Sequence, residues 1–145
     1  MSRLLVVVEP HESTNELLDV ATEFVSGTDH ELVLFSVTPE DAGEETRTRM
    51  REFTESDTRY ELSVEGNAAF ARDVGSQRLP SAVSFEADGG IGDPFGRIRG
   101  AIDEYDCRHV FVTGRKRTPT GKALFGDTTQ ELLLNAECPV TLIMR

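Results

Sequence analysis

The sequence has no tryptophan, two cysteines, and two lysines among its 15 basic residues. Cys107 and Cys138 stand apart, with no Cys-x-x-Cys spacing and no histidine at metal-ligand distance. Neither a zinc module nor a disulfide framework is expected from them, but two reduced, partly buried thiols. No apolar run is long enough to cross a bilayer, and Leu4-Leu5-Val6-Val7-Val8 is too short for a secretion signal, so a soluble cytoplasmic protein is expected. Catalytic signatures are missing too. His11, His30 and His109 lie in separate segments, and there is no nucleophile elbow. Gly121-Lys122 lacks both the upstream glycine and the following Ser or Thr of a P-loop, so enzyme activity is not expected. The shortage of lysine accompanies an acidic excess, 26 Asp and Glu against 15 Lys and Arg, for a formal net charge of −11. Such a surface repels duplex nucleic acid and anionic membranes. It also suits a high-salt cytoplasm, where screening is strong and carboxylates keep the surface soluble, which points to a halophilic source.

What is present reads as one α/β domain over residues 1–145, with no break in composition. Leu4 to Val8 is a valine-rich run short enough for a strand buried on both faces. Ser13-Thr14-Asn15-Glu16 has the spacing of a capping box, and Leu17, Val20 or Ala21, Phe24 and Val25 follow at helical spacing up to Gly27. Glu31 to Val37 is a second buried strand, stopped by Thr38-Pro39. From Glu40 to about Asp57 the chain is dense in charge and reads as a mobile or weakly helical excursion. Tyr60 to Arg78 fits both a strand alternation and a helical face. Helix is the better fit, capped by Thr58-x-x-Glu61, because a parallel sheet needs a crossover here. Ala82 to Ala87 alternates as an edge strand would, and Gly89-Gly90-Ile91-Gly92 reads as a turn. This glycine cluster lacks the third glycine of a dinucleotide fingerprint. Asp93 as N-cap and Pro94 at the first position then open a helix through Tyr105. Val110 to Thr113 is a fourth buried strand. A short helix follows, with Asp127 as its cap, Gln130 at the third position and an apolar face of Leu132, Leu133 and Ala136. Cys138-Pro139 ends this helix, and Val140 to Met144 forms a fifth strand. Strands alternating with helices imply an open parallel α/β sheet, whose ligands sit beyond the carboxyl ends of the strands where the strand order reverses.

Both lysines, Lys116 and Lys122, fall in the stretch Gly114-Arg115-Lys116-Arg117-Thr118-Pro119-Thr120-Gly121-Lys122-Ala123-Leu124-Phe125-Gly126-Asp127-Thr128-Thr129, with two arginines and three glycines. A glycine-punctuated basic loop between a strand end and a helix start is suited to hold an anion, with phosphate the first candidate. The alternative is a solvated turn whose charges only offset the acidic bulk. Glu9, Val37 and Gly114 onward mark the strand ends that would face the ligand.

Over nearly the whole chain the sequence resembles the universal stress protein family. The likeness is carried by Leu4 to Glu9, Phe35-Ser36-Val37, Gly92-Asp93-Pro94, Val112-Thr113-Gly114, the glycine loop, and Cys138-Pro139-Val140. The resemblance implies an open five-stranded parallel sheet in the order 3-2-1-4-5 with helices on both faces, a homodimer formed through the last strand, and, in one branch, bound ATP or AMP. That branch carries Gly, two residues, Gly, nine residues, Gly, then Ser or Thr. Gly114 and Gly126 match the first and third glycines. Arg117 stands for the second, the interval from Thr118 to Phe125 is one residue short, and Asp127 replaces the hydroxyl residue. The contacts carried over are Val7 and Glu9 at the first strand end, with Glu9 in place of an Asp that binds ribose, and Val37 beside the base. Gly114, Arg115, Arg117, Gly121, Lys122, Gly126, Asp127 and Thr128 lie on the phosphate side. A magnesium ion bridging Asp127 to the phosphates would reconcile its charge with theirs. The resemblance implies a sensing or regulatory nucleotide ligand. The alternative is a member that has lost nucleotide binding and acts as a dimeric protein-interaction module.

Overall fold

The computed structural model describes residues 2–114 and 126–144. Its elements follow in the order β1 (Arg3–Val7), α1 (Ser13–Val25), β2 (Glu31–Thr38), α2 (Glu44–Phe53), α3 (Val64–Arg78), β3 (Phe85–Ile91), α4 (Pro94–Tyr105), β4 (Cys107–Gly114), α5 (Asp127–Asn135) and β5 (Val140–Met144). The apolar runs at positions 4–8, 32–35 and 110–112 become the middle of the sheet because each needs burial on both faces. All pairings are parallel and the order is β3-β2-β1-β4-β5.

The alternation of each strand divides the core in two. Leu4, Val6 and Val8 point to one face with Leu32, Leu34 and Phe111, where Leu17, Leu18 and Ala21 of α1, Met50 of α2 and Phe70, Ala71 and Val74 of α3 cover them. Leu5 and Val7 point to the other face with Val33, Phe35, Val110 and Val112, under Ile98 and Ala101 of α4 and Leu132 of α5. Helices therefore lie on both faces, as the resemblance implies. Cys107 and Cys138 are free and flank the second core. Burial pushes the Cys107 thiol up to about 12 and also raises that of Cys138, so both stay protonated and unreactive near neutral pH.

The sequence-based expectations need five corrections. The capping box at Ser13 does not form: Ser13 is already helical, Glu12 precedes it without a side-chain cap, and Thr14 turns inward to the backbone of Glu9. The charged segment 40–57 contains a true helix, α2, pinned by Met50, which is 1 % exposed, with Phe53 packed against the same core. One well-buried side chain outweighs the polar average that a compositional reading sees. The third correction concerns Tyr60, which is buried but not helical. The cap of α3 is Ser63, whose side chain accepts from Gly66 N at 3.0 Å, and not Thr58. Gly66 thus sits in the first turn, where a glycine costs little.

The fourth correction is the glycine cluster, which lies mostly inside β3. Gly89 and Gly90 pair with Ser36 and Val37, and the turn comes at Gly92, whose φ of +121° needs glycine. Gly89 is demanded by proximity: a Cβ there would lie 2.5 Å from Val64 O, 2.6 Å from Ala68 N and 2.7 Å from Asn67 Cβ. Helix α3 packs that closely on the edge strand, so the missing side chain is what lets the layers meet. Finally, α5 is capped by Gly126, and Asp127 is its first helical residue. The Asp93 cap and Pro94 start of α4 are as expected, with Gly96 N donating to Asp93 Oδ2 at 3.0 Å.

Gly89→Ala should therefore destabilise the fold by about 2 to 3 kcal/mol, the cost of forcing a methyl against fixed backbone. Urea unfolding checks this. An alanine variant with an unchanged midpoint would mean that α3 is free to move off the sheet.

Candidate functional site

Three strand ends and three helices meet at one cavity of about 400 Å³. β1 supplies Val7, then Val8, Glu9 and Pro10 just beyond it. β2 supplies Ser36, Val37 and Thr38 ahead of Pro39, and β4 supplies Val112 and Thr113. The first turns of α4 and α5 enter with Pro94, Gly126, Thr128 and Thr129, and α2 adds Thr46, Arg49 and Met50. Topology dictates this position. The connections leave β1 toward β2 on one side and return to β4 on the other, so the chain diverges above the carboxyl end of β1 and leaves a crevice.

Glu9 and Arg49 are the charged groups among the described lining residues. Glu9 is held on both its backbone and its carboxylate. Thr14 Oγ1 donates to Glu9 O at 2.7 Å and accepts from Glu9 N at 3.2 Å, while Thr113 Oγ1 donates to Glu9 Oε1 at 3.0 Å. His11 completes a short relay. Its Nδ1 accepts from Ser13 N at 3.2 Å and lies 2.6 Å from Ser13 Oγ, and its Nε2 lies 3.5 Å from Thr113 Oγ1. The carboxylate thus enters the cavity as an oriented acceptor, suited to hydroxyl or N–H donors on a ligand.

Under the β2 wall is a buried polar knot. Asn67, fully buried on α3, accepts from Ser36 Oγ at 2.9 Å and donates to Thr38 Oγ1 at 3.0 Å, with Ser63 O and Gly90 O also within reach of its amide nitrogen. Ser36 and Thr38 both line the cavity, so one amide fixes its wall, α3 and β3 together.

The opposite end of the cavity is made by the start of α5. Gln130 N donates to Gly126 O at 2.9 Å, the first bond of that helix's ladder. The N–H groups of Thr128 and Thr129 precede the ladder, and both residues line the cavity. Together with the helix dipole they make this end favourable to an anion.

Of the sequence-predicted residues, the structure brings Val7, Glu9, Val37, Gly126 and Thr128 to this cavity. Gly114 closes β4 and is packed beneath Leu142 and Met144, and Asp127 heads α5 beside the cavity-lining Gly126 and Thr128. Arg115, Arg117, Gly121 and Lys122 lie outside the described residues. Sequence reasoning missed Thr113, Thr14, Thr46 and Arg49. A threonine ending an apolar strand run was the available signal for Thr113. No comparable signal marked Thr46 and Arg49, because α2 was not recognised as a helix. Among the described residues, no group of three or more His, Cys, Asp or Glu could hold a metal ion, and no helix is long and apolar enough to cross a membrane.

Solved structures with the same fold include the universal stress protein UspA from Lactobacillus plantarum, 16% identical with a TM-score of 0.66 over 98% of this chain and 97% of that one. A universal stress protein family protein from Arabidopsis thaliana, solved with AMP bound, is 20% identical, with a TM-score of 0.61 over 100% of this chain and 92% of its own. The universal stress protein from Archaeoglobus fulgidus in complex with dAMP is 16% identical, with a TM-score of 0.58 over 99% of this chain and 98% of its own. No curated protein matches at the sequence level. The universal stress protein family profile matches residues 1–144, so the chain belongs to the universal stress protein family.

Proposed function

We propose that this protein binds an adenine nucleotide, AMP or ATP, as a non-catalytic sensing or regulatory ligand in a cytoplasmic stress response. One observation carries the reading: a single cavity joins an apolar wall, an oriented carboxylate and a helix N-terminus in the sequence that base, ribose and phosphate require. The base lies against Val7, Val37 and Pro39. Glu9 accepts from the ribose hydroxyls, and the phosphates meet the amides at the start of α5 with the basic loop that holds Arg115, Arg117 and Lys122. The AMP and dAMP complexes of the two similar structures support the choice of adenine. The acidic excess of the chain as a whole suits high salt.

Asp127 opposes the phosphates. A carboxylate on the first residue of α5 favours the helix dipole but repels an anion there by about 1 kcal/mol at about 4 Å in water, and by several-fold more in a partly dry cavity. Because Gly126 supplies the cap, Asp127→Ser leaves the cap in place. The variant should bind ATP more tightly by about 1 to 2 kcal/mol in the absence of magnesium, and magnesium should narrow the difference by bridging Asp127 to the phosphates. Isothermal titration with ATP and AMP, with and without magnesium at high salt, measures both. Equal or weaker ATP binding by the variant without metal would refute the repulsion, and no binding by the wild type would refute the nucleotide reading.

We further propose a homodimer through β5. This strand is an edge of the sheet, and its five residues are only half-buried on both faces. Nothing in Val140-Thr141-Leu142-Ile143-Met144 discourages pairing. On the flanking α5, Leu133 and Leu134 are exposed, Leu134 to 75 %. The same exposed surface favours a second reading, a dimeric protein-interaction module that binds no nucleotide. Sedimentation equilibrium at micromolar protein in high salt should give a dimer for the wild type and a monomer for Leu142→Lys with Met144→Lys. Circular dichroism of the variant controls for folding. A dimer that survives the double substitution would place the interface elsewhere.

A further inference from the structure

The cavity has a wall that the strand-end pattern does not account for. Helix α2 is fixed beside β1 and β2 by Met50, and its C-terminus is tied to α3. Gln77 Nε2 donates to Thr54 O at 2.9 Å, Arg78 Nη2 donates to Phe53 O at 2.5 Å, and the Arg78 guanidinium lies 4.2 Å from the Phe53 ring centroid. With the helix fixed in this way, the arginines at positions 47 and 49 diverge. Arg47 donates to Tyr60 O at 2.8 Å and closes the loop that follows α2, whereas Arg49 lines the cavity.

Arg49 is lightly held. Its side chain is 55 % exposed, and its contacts are on its own helix, Glu45 Oε1 at 3.7 Å and Thr46 Oγ1 at 3.5 Å. An exposed pair one turn apart contributes only a few tenths of a kcal/mol, so the guanidinium can leave it for a ligand. Two features decide which part of a ligand it meets. The neighbouring wall, Val37, Pro39 and Met50, is apolar, while the amides that favour phosphate are across the cavity on α5. In addition Glu45 stays beside Arg49 at the start of α2, just after Glu40 and Asp41, and although Arg47 and Arg59 offset Glu44, the remaining carboxylates oppose a phosphate at the guanidinium. A planar, weakly hydrated cation over an apolar wall is suited to an aromatic face.

We propose that Arg49 is a base-recognising residue, its guanidinium closing face-on over the nucleobase of the bound nucleotide. This rests on the nucleotide reading above and adds a contact that the strand ends and the glycine loop do not supply.

The test is isothermal titration of adenosine, AMP and ATP into the wild type, Arg49→Ala, Arg49→Gln and Arg49→Lys at high salt. A stacking contact predicts that Ala and Gln weaken all three ligands by a common factor of about five, adenosine included, and that Lys does not restore it because an ammonium lacks the plane. All variants should melt within about 2 °C of the wild type, since the residue is exposed and its ion pair is weak. A loss confined to AMP and ATP, growing with phosphate number and restored by Lys, would make Arg49 a phosphate ligand and overturn the proposal. So would unchanged affinities. If the wild type binds none of the three ligands, the nucleotide reading fails and this one with it. If it binds all three and the variants match it, only this one fails.

Discussion

The fold depends on β1 being buried on both faces while paired on both edges. With β2 on one side and β4 on the other, β1 is paired along both edges, with one register shift against β4 between Arg3 and Leu5. Its side chains alternate between two cores, and neither core can form unless helices cover both faces. Parallel pairing then forces each connection to cross over the sheet, and because β2 and β3 lie to one side of β1 while β4 and β5 lie to the other, right-handed crossovers put the two sets of helices on opposite faces. The cavity is the consequence. It forms where those connections part, above the carboxyl end of the strand that the rest of the molecule surrounds, so the site is a product of topology before any polar residue is placed in it.

The central strands were legible in the sequence because a strand buried on both faces is a short, uninterrupted apolar run, as at Leu4 to Val8, Leu32 to Phe35 and Val110 to Val112. Helix α4 was equally plain, since Asp93, Pro94 and the apolar spacing agree. Where the reading failed, a single contact had overridden a local pattern. Helix α2 is held by Met50 and Phe53 within a stretch of charge, and its strongly polar average hides an apolar spacing that is nonetheless helical. The Ser13 hydroxyl, expected to cap a helix start, lies instead against His11 Nδ1, so the capping box at Ser13 is only a spacing. Gly89 and Gly90 read as a turn because glycine is usually punctuation. Here it thins an edge strand so that α3 can come close. Of the cavity-lining residues, Glu9 and Val37 were legible as strand ends, and Val7 was carried over from the family resemblance. Arg49 was missed because its own helix was.

Two polar devices then convert a topological crevice into a defined one. The Asn67 knot lies behind the β2 wall, where a buried amide without its partners would cost about 1 to 3 kcal/mol. Its bonds to Ser36 and Thr38 therefore hold wall and helix in one relative position. The Thr113 bond sets the Glu9 carboxylate from the β4 side, so the acceptor is aligned by a strand different from the one that carries it. Neither device reaches across the cavity. Each stiffens one side, and a ligand bridging the two sides would order only what remains mobile between them, which keeps the entropic cost of binding low.

The remaining question is how a chain of net charge −11 could attract a polyanion. Much of its positive charge is committed elsewhere: Arg3 pairs with Glu31 and Glu86, Arg47 and Arg59 share Glu44, and Arg78 lies on Phe53. At low ionic strength the acidic bulk would repel a nucleotide over a Debye length of about 30 Å at 0.01 M salt, and a handful of local cations could not offset that field. At 1 M salt the same length is about 3 Å, so the bulk becomes invisible and only groups in contact count. Hydrogen bonds from the amides of α5 and stacking over the base act at contact distance and survive such screening. The proposed site, with helix-end amides for the phosphates, a carboxylate for the ribose and a planar cation for the base, would therefore work in concentrated salt, where long-range attraction contributes nothing.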